Sequence, residues 1–207
     1  MGTDAHHTRK VALVRVAVVC ASHYGSTRGI AERIGSELGL AGLDARVFDA
    51  ATPPHAEDVA GFDAFVVGSA VYMGHWLKDA STFVRRYQPT LLEHPVWLFS
   101  SGPLGPEATA ADGADASADS SAVDANGADV RESTVPAEIA EFTNTVRPVG
   151  HRVFFGAIDP QALSLPHRMI RKFPGAAEKI PAGDFRDWPE IEAWARDIAR
   201  DLVKTTG

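Results

Sequence analysis

Cysteine occurs once in 207 residues, as Cys20. No internal disulfide can form, which leads to the expectation of a reducing, cytoplasmic setting. No run of 18 apolar residues is present, so the sequence predicts no membrane-spanning helix. Residues 1–10 are polar and carry His6, His7, Arg9 and Lys10. They lack the apolar stretch of a secretory signal and read as a flexible tail. Positive charge is also in short supply, with 20 Lys and Arg against 27 Asp and Glu and a net charge of -7. That balance excludes the basic footprint of a nucleic-acid binder. Neither the lysine-bearing phosphate loop of nucleotide hydrolases nor a GxGxxG fingerprint is found where a first strand turns into a helix.

The negative charge is concentrated. Seven acids (Glu107, Asp112, Asp115, Asp119, Asp124, Asp129 and Glu132) stand against one base, Arg131, between positions 105 and 135. Residues 106–134 are mostly Ala, Asp, Ser and Gly, with only Val123 and Val130 as larger apolar side chains. Such a stretch cannot bury enough surface to offset the entropy of ordering, so it reads as a disordered acidic insertion. With 45% hydrophobic residues in the whole chain, the remainder suffices for one cored domain over 11–207.

Outside the insertion the pattern alternates. Residues 11–21 form an apolar run broken only by Arg15, as expected of a strand buried on both faces of a parallel sheet. Ile30, Ala31, Ile34, Leu38 and Ala41 mark one helical face. Further strands are predicted at 44–49, 62–68, 95–100 and 151–158. Helices are predicted near 76–88 and 136–146, with a short amphipathic one at 165–173. A last helix is introduced by Asp187, with Glu190 three places on in the manner of a capping box. Five strands alternating with helices give an α/β fold: a five-stranded parallel sheet with helices on both faces. Ligands of such sheets sit beyond the carboxyl ends of the strands, which singles out the loops near 22–27, 68–76 and 100–105.

The first of these reads Ser22, His23, Tyr24, Gly25, Ser26, Thr27. Three hydroxyls and a glycine open a helix, whose free N–H groups and positive dipole end favour an anion. The first turn holds Arg28 and Gly29 rather than an acid, so the anion is expected from outside the chain. Ordinary capping by Ser26 or Thr27 is the competing reading.

The spacing Ser22-x-x-Gly25-Ser26-Thr27 resembles the phosphate loop of flavodoxins, Ser/Thr-x-Thr-Gly-x-Thr, with Tyr24 replacing the middle threonine. It is similar to the branch of flavodoxin-domain proteins that includes menaquinone-dependent protoporphyrinogen oxidase. Residues 67–76 (Val-Gly-Ser-Ala-Val-Tyr-Met-Gly-His-Trp) resemble that branch as well, as do 155–159, 163–170 and 184–188. The resemblance implies a flavodoxin-like three-layer sandwich with strand order 2-1-3-4-5, the insertion following strand 4, and FMN as cofactor. It implies that Ser69, Ala70, Val71, Tyr72, Met73 and Gly74 run along the flavin ring, and that Ser100, Ser101 and Gly102 border its pyrimidine end. Gly68 and Gly74 are expected to let the backbone approach the ring or adopt positive φ. Tyr72 either stacks on the ring or packs on the next helix. Trp76 reads as core, and His75 is the one weak candidate for a proton donor.

The functional expectation is an FMN-dependent oxidoreductase that transfers electrons between a reduced small-molecule substrate, for which the resemblance suggests a porphyrinogen, and a quinone-like acceptor. The alternatives are an electron carrier docking on a redox partner protein, and a non-catalytic interaction domain that has lost FMN. The basic residues His167, Arg168, Arg171 and Lys172 in the helix from Leu165 to Phe173 suggest either peripheral contact with an anionic membrane or an ordinary solvated face.

Overall fold

A computed structural model describes residues 13–72, 74–102, 135–158 and 183–205. Five strands lie parallel in one sheet: β1 (Arg15–Ala21), β2 (Asp44–Asp49), β3 (Ala64–Tyr72), β5 (Val96–Ser101) and β6 (Gly150–Phe154). Their order is β2-β1-β3-β5-β6, with a two-residue strand β4 (His75–Trp76) folded back antiparallel on the end of β3. This is the predicted five-strand order. The register aligns the carboxyl ends. Ala21 faces Ser69, Ser69 faces Ser100, and Ser101 faces Phe154.

Alternation along β1 divides the core. Val16, Val18 and Cys20 point to the side covered by α1 (Ser26–Leu40) and the C-terminal helix α6 (Trp188–Thr205). Ala17, Val19 and Ala21 point to the side covered by α3 (Lys78–Arg86), α4 (Gln88–Leu92) and α5 (Ala137–Thr145). Residues of both faces are almost wholly buried, which explains the unbroken apolar run. Arg15, the exception, sits at the strand's entry. Its guanidinium donates to the Gly61 carbonyl at 2.7 Å and lies over the Phe62 ring at 4.9 Å. A short α2 (Ala56–Val59) precedes β3.

The final helix starts where the capping signal places it, with the Glu190 amide donating to Asp187 Oδ1 at 3.0 Å. Three expectations need correction. The fifth strand is not continuous over 151–158. It stops at Phe154, and Ala157–Ile158 forms a separate β7 that pairs antiparallel with β8 (Gly183–Asp184). The Gly102 amide donates to the Phe154 carbonyl as the last rung of the β5–β6 pairing, whereas the Gly156 carbonyl accepts from the Phe185 amide, so beyond Phe154 the backbone pairs with residues 183–185 instead of β5. The predicted helix from 76 starts only at Lys78, because Trp76 and His75 are held in β4. Gly68 does not adopt positive φ. A Cβ there would lie 2.0 Å from the Phe99 ring, so its role is to admit that ring to the core. The N-terminal tail, the insertion 106–134, the helix expected at 165–173 and Met73 lie outside the described residues.

Candidate functional site

Helix α1 begins without a side-chain cap. Gly25, its N-cap residue, has φ 84°, a left-handed conformation that costs a side-chain-bearing residue roughly 1–2 kcal/mol. No acid occupies the first turn. The amides of Ser26, Thr27 and Arg28 have no acceptor among the described residues, the first intrahelical bond running from the Gly29 amide to the Gly25 carbonyl. Arg28 does not compensate. Its side chain turns back to Glu32 at 3.0 Å and Asp49 at 3.8 Å.

The three hydroxyls of the loop divide. Ser22 Oγ accepts from the Gly25 amide at 3.1 Å and so shapes the turn. Ser26 Oγ accepts from the Ala157 amide at 2.7 Å, tying α1 to β7 across 131 positions of sequence. Thr27 is 1% exposed, and its hydroxyl has no partner among the described residues. Ser101, at the end of β5, is in the same condition at 5%. Ser101 and Ser26 converge beside Gly156, where an added Cβ would stand 3.4 Å from each hydroxyl oxygen.

The loop after β3 is pinned from behind. Ser69 Oγ accepts from the Leu77 amide at 2.9 Å and donates to the Ala70 carbonyl at 2.8 Å, so its hydroxyl is consumed within the protein. Glu138 of α5 accepts from the Trp76 amide at 3.1 Å and pairs with His75 Nδ1 at 3.1 Å. Burial raises the Glu138 pKa, but these bonds outweigh it and hold the carboxyl below its ordinary range. The Ala137 amide donates to the Gly74 carbonyl, and Gly74 has φ 76° as expected. His75 is exposed and committed to Glu138.

Trp76 is buried, as predicted, with its ring edge-on to Phe142. Its indole N–H donates to Ser100 Oγ at 2.8 Å, and that hydroxyl meets His151 Nε2 at 2.8 Å. Burial pushes the His151 pKa down to about 4, so near neutral pH the uncharged ring offers Nε2 as acceptor for the Ser100 proton. Ser100 therefore faces inward, not toward a ligand. Gly102, at φ 122°, ends the strand. Tyr72 does not pack on α3. It is 41% exposed, and its ring meets His23 edge-on at 5.5 Å; His23 in turn stands 6.0 Å from Tyr24. Burial and the neighbouring Tyr24 push the Tyr72 hydroxyl up to about 12. Cys20 lies buried just below the loop, and burial followed by Asp49 pushes its thiol up to about 12, so it is no nucleophile at neutral pH.

The structure thus brings Ser22, His23, Tyr24, Gly25, Ser26 and Thr27 together with Ala70, Val71, Tyr72, Gly74, Ser101 and Gly102 at one end of the sheet. Glu138 and the 156–157 turn also belong to this end; the sequence reading noted 155–159 only as a resemblance and gave Glu138 no role. The description Flavodoxin domain matches residues 17–180. The chain belongs to the flavodoxin domain family.

Its cofactor is FMN, as in that family. The residues present fit the phosphate of such a group, because free amides, a buried unpartnered Thr27 hydroxyl and an uncompensated helix dipole all call for an anion. Among solved structures, the chain is similar to a flavodoxin from the domain Archaea (17% identity, TM-score 0.53, covering 91% of this chain and 98% of that one). It is also similar to a flavodoxin variant from Pseudomonas aeruginosa (13%, 0.51, 90% and 97%). Rubredoxin oxygen:oxidoreductase from Desulfovibrio gigas matches at 13% identity and TM-score 0.53, with 93% of this chain covering only 37% of that one. At these identities the likeness is one of fold. A comparison with curated protein sequences finds no match. No helix among the described residues is long and apolar enough to cross a membrane.

Proposed function

We propose that this chain is an FMN-dependent oxidoreductase that passes electrons between a reduced small-molecule substrate, of the porphyrinogen kind, and a quinone-like acceptor. The observation that carries the reading is the start of α1, where three amides and the buried Thr27 hydroxyl have no acceptor among the described residues. In this reading those groups hold the phosphate, with Ser22 and Ser26 adding their protons. Ser101 and the Gly102 backbone border the ring, and Glu138 and Ser69 fix the loop that runs beside it. Bound FMN supplies one- and two-electron redox chemistry; the protein supplies orientation and electrostatics.

An enzyme fits better than a carrier. Electron carriers that dock by charge depend on a field at the mouth of the site. Here the acids are concentrated between positions 105 and 135, and the rest of the chain, with twenty acids against nineteen bases, is close to neutral. The sequence likeness over 67–76, 155–159, 163–170 and 184–188 supports the porphyrinogen version. Purified protein should carry a flavin absorbance spectrum and oxidise protoporphyrinogen with menaquinone faster than an equal concentration of free FMN. A colourless protein with no thermal shift on adding FMN refutes the cofactor role. Bound flavin with turnover no faster than the free-FMN control refutes the enzyme.

A further inference from the structure

A guanidinium from outside the loops after β1, β3 and β5 stands at the start of α1. Ser26 Oγ is tied to the Ala157 amide, and Ala157 is the register partner of Asp184 across the β7–β8 pair. Asp184 in turn holds Arg186, whose Nε donates to Oδ1 at 2.7 Å and Nη2 to Oδ2 at 2.5 Å. The guanidinium lies over the Trp188 ring, 4.4 Å from its centroid. Its third nitrogen, Nη1, has no acceptor among the described residues and stands 2.6 Å from where a Cβ on Gly29 would lie. The Cα–Cβ bonds of a helix lean toward its start, so the space that Gly29 leaves to the arginine is over the opening turn of α1. That place is unfavourable for a cation alone, because it is the positive end of the helix dipole. Asp184 offsets the charge in part, but it is the outer partner, 46% exposed against 17% for Arg186, and water screens it more. A salt bridge that only tied the hairpin to α6 would need neither a glycine at 29 nor an unused Nη1. A guanidinium fixed by a carboxylate fork and a ring, with one nitrogen left over, is arranged for a further anion.

We propose that Arg186 is a further phosphate-binding residue, supplying from the β8–α6 turn the fixed cation that makes the site select a phosphorylated flavin over the same ring without its phosphate. The proposal rests on the phosphate placement at α1 made above. Riboflavin, which has the flavin ring and no phosphate, is the comparison probe. Apoprotein is titrated with FMN and with riboflavin by flavin fluorescence. Arg186→Gln should weaken FMN binding about tenfold, through loss of a charge-assisted contact, and leave riboflavin within about twofold of wild type. Gly29→Ala keeps the arginine, favours the helix and puts a methyl 2.6 Å from Nη1. It should displace the guanidinium and lower FMN affinity about threefold, again without weakening riboflavin and without lowering Tm. The proposal is overturned if wild-type protein binds riboflavin as tightly as FMN. It is equally overturned if Arg186→Gln keeps the wild-type ratio of FMN to riboflavin affinity within about twofold, whether both flavins are unaffected or both weaken alike, since the arginine is then a strut of the hairpin. Should Arg186→Gln fail to fold, Gly29→Ala decides by the same ratio. Wild-type protein that binds neither flavin sinks the phosphate placement itself, a result visible before any variant is made.

Discussion

Replacing Ser100 by alanine removes one oxygen that serves two neighbours. The Trp76 indole N–H donates to it at 2.8 Å, and it meets His151 Nε2 at 2.8 Å. Trp76 is 4% exposed, so water cannot replace the lost acceptor. A buried polar group left unpaired costs about 1–3 kcal/mol. His151 is only partly buried and recovers some solvation. The sum for Ser100→Ala is then about 2–4 kcal/mol, or a fall in Tm of roughly 5–15 °C for a chain of this size. Urea unfolding of the FMN-free protein measures it directly, as a lower midpoint at unchanged m-value. The orphaned indole supplies an internal check. In Trp76→Phe/Ser100→Ala protein that orphan no longer exists, so the double variant should be more stable than the sum of the single effects by about 1 kcal/mol. A Ser100→Ala effect below about 0.5 kcal/mol, the level of a surface change, or strict additivity in the double variant, refutes the reasoning.

Three further outcomes follow from the same geometry. Burial holds the folded His151 pKa near 4, below its ordinary 6.5. The unfolded chain therefore takes up the proton first as pH falls, and this contribution, complete above pH 6.5, is lost between 6.5 and 4. It is on the order of 3 kcal/mol at most, and unfolding curves of wild type and His151→Phe should differ in slope across that window alone. Thr27→Val should weaken FMN binding by about 1 kcal/mol or more, through loss of a charge-assisted bond, with Thr27→Ser restoring it in a fluorescence titration; equal affinities would remove Thr27 from the phosphate site. Gly68→Ala places a methyl 2.0 Å from the Phe99 ring and should cost at least about 1–3 kcal/mol, with Phe99→Leu recovering part of it in thermal melts.

The sheet was legible because burial on both faces leaves an unmistakable signature. The core of β1 matches its apolar run from Val16 to Ala21, and Asp187 caps the last helix as its spacing requires. The misreadings arise where a contact distant in sequence overrides a local pattern. His75 and Trp76 have a helical context, yet Glu138, 62 positions on, holds them in a strand. The run 151–158 reads as one strand, yet its last residues pair with Gly183 and Asp184 instead of β5. Gly68 looks like a loop glycine beside a ligand, whereas its space is filled by a ring from the neighbouring strand. Periodicity carries no information about such partners.

The site was legible in its residue types but not in their division of labour. Ser22 and Ser26 both form internal bonds, and at first sight this competes with anion binding. The direction of those bonds resolves the conflict. Each hydroxyl oxygen accepts, from the Gly25 and the Ala157 amide respectively, and an accepting hydroxyl keeps its proton to give. The neighbouring amides of Ser26, Thr27 and Arg28 can only donate. Arg28, the one cation in the turn, is drawn off by Glu32 and Asp49, so the first turn of α1 supplies neither an acid to cap the dipole nor a free cation to grip the ligand. What remains at this helix start is a set of donors converging without an acceptor. A helix terminus in that condition is satisfied by a ligand that accepts from several directions at once and carries negative charge, and a phosphate monoester does both.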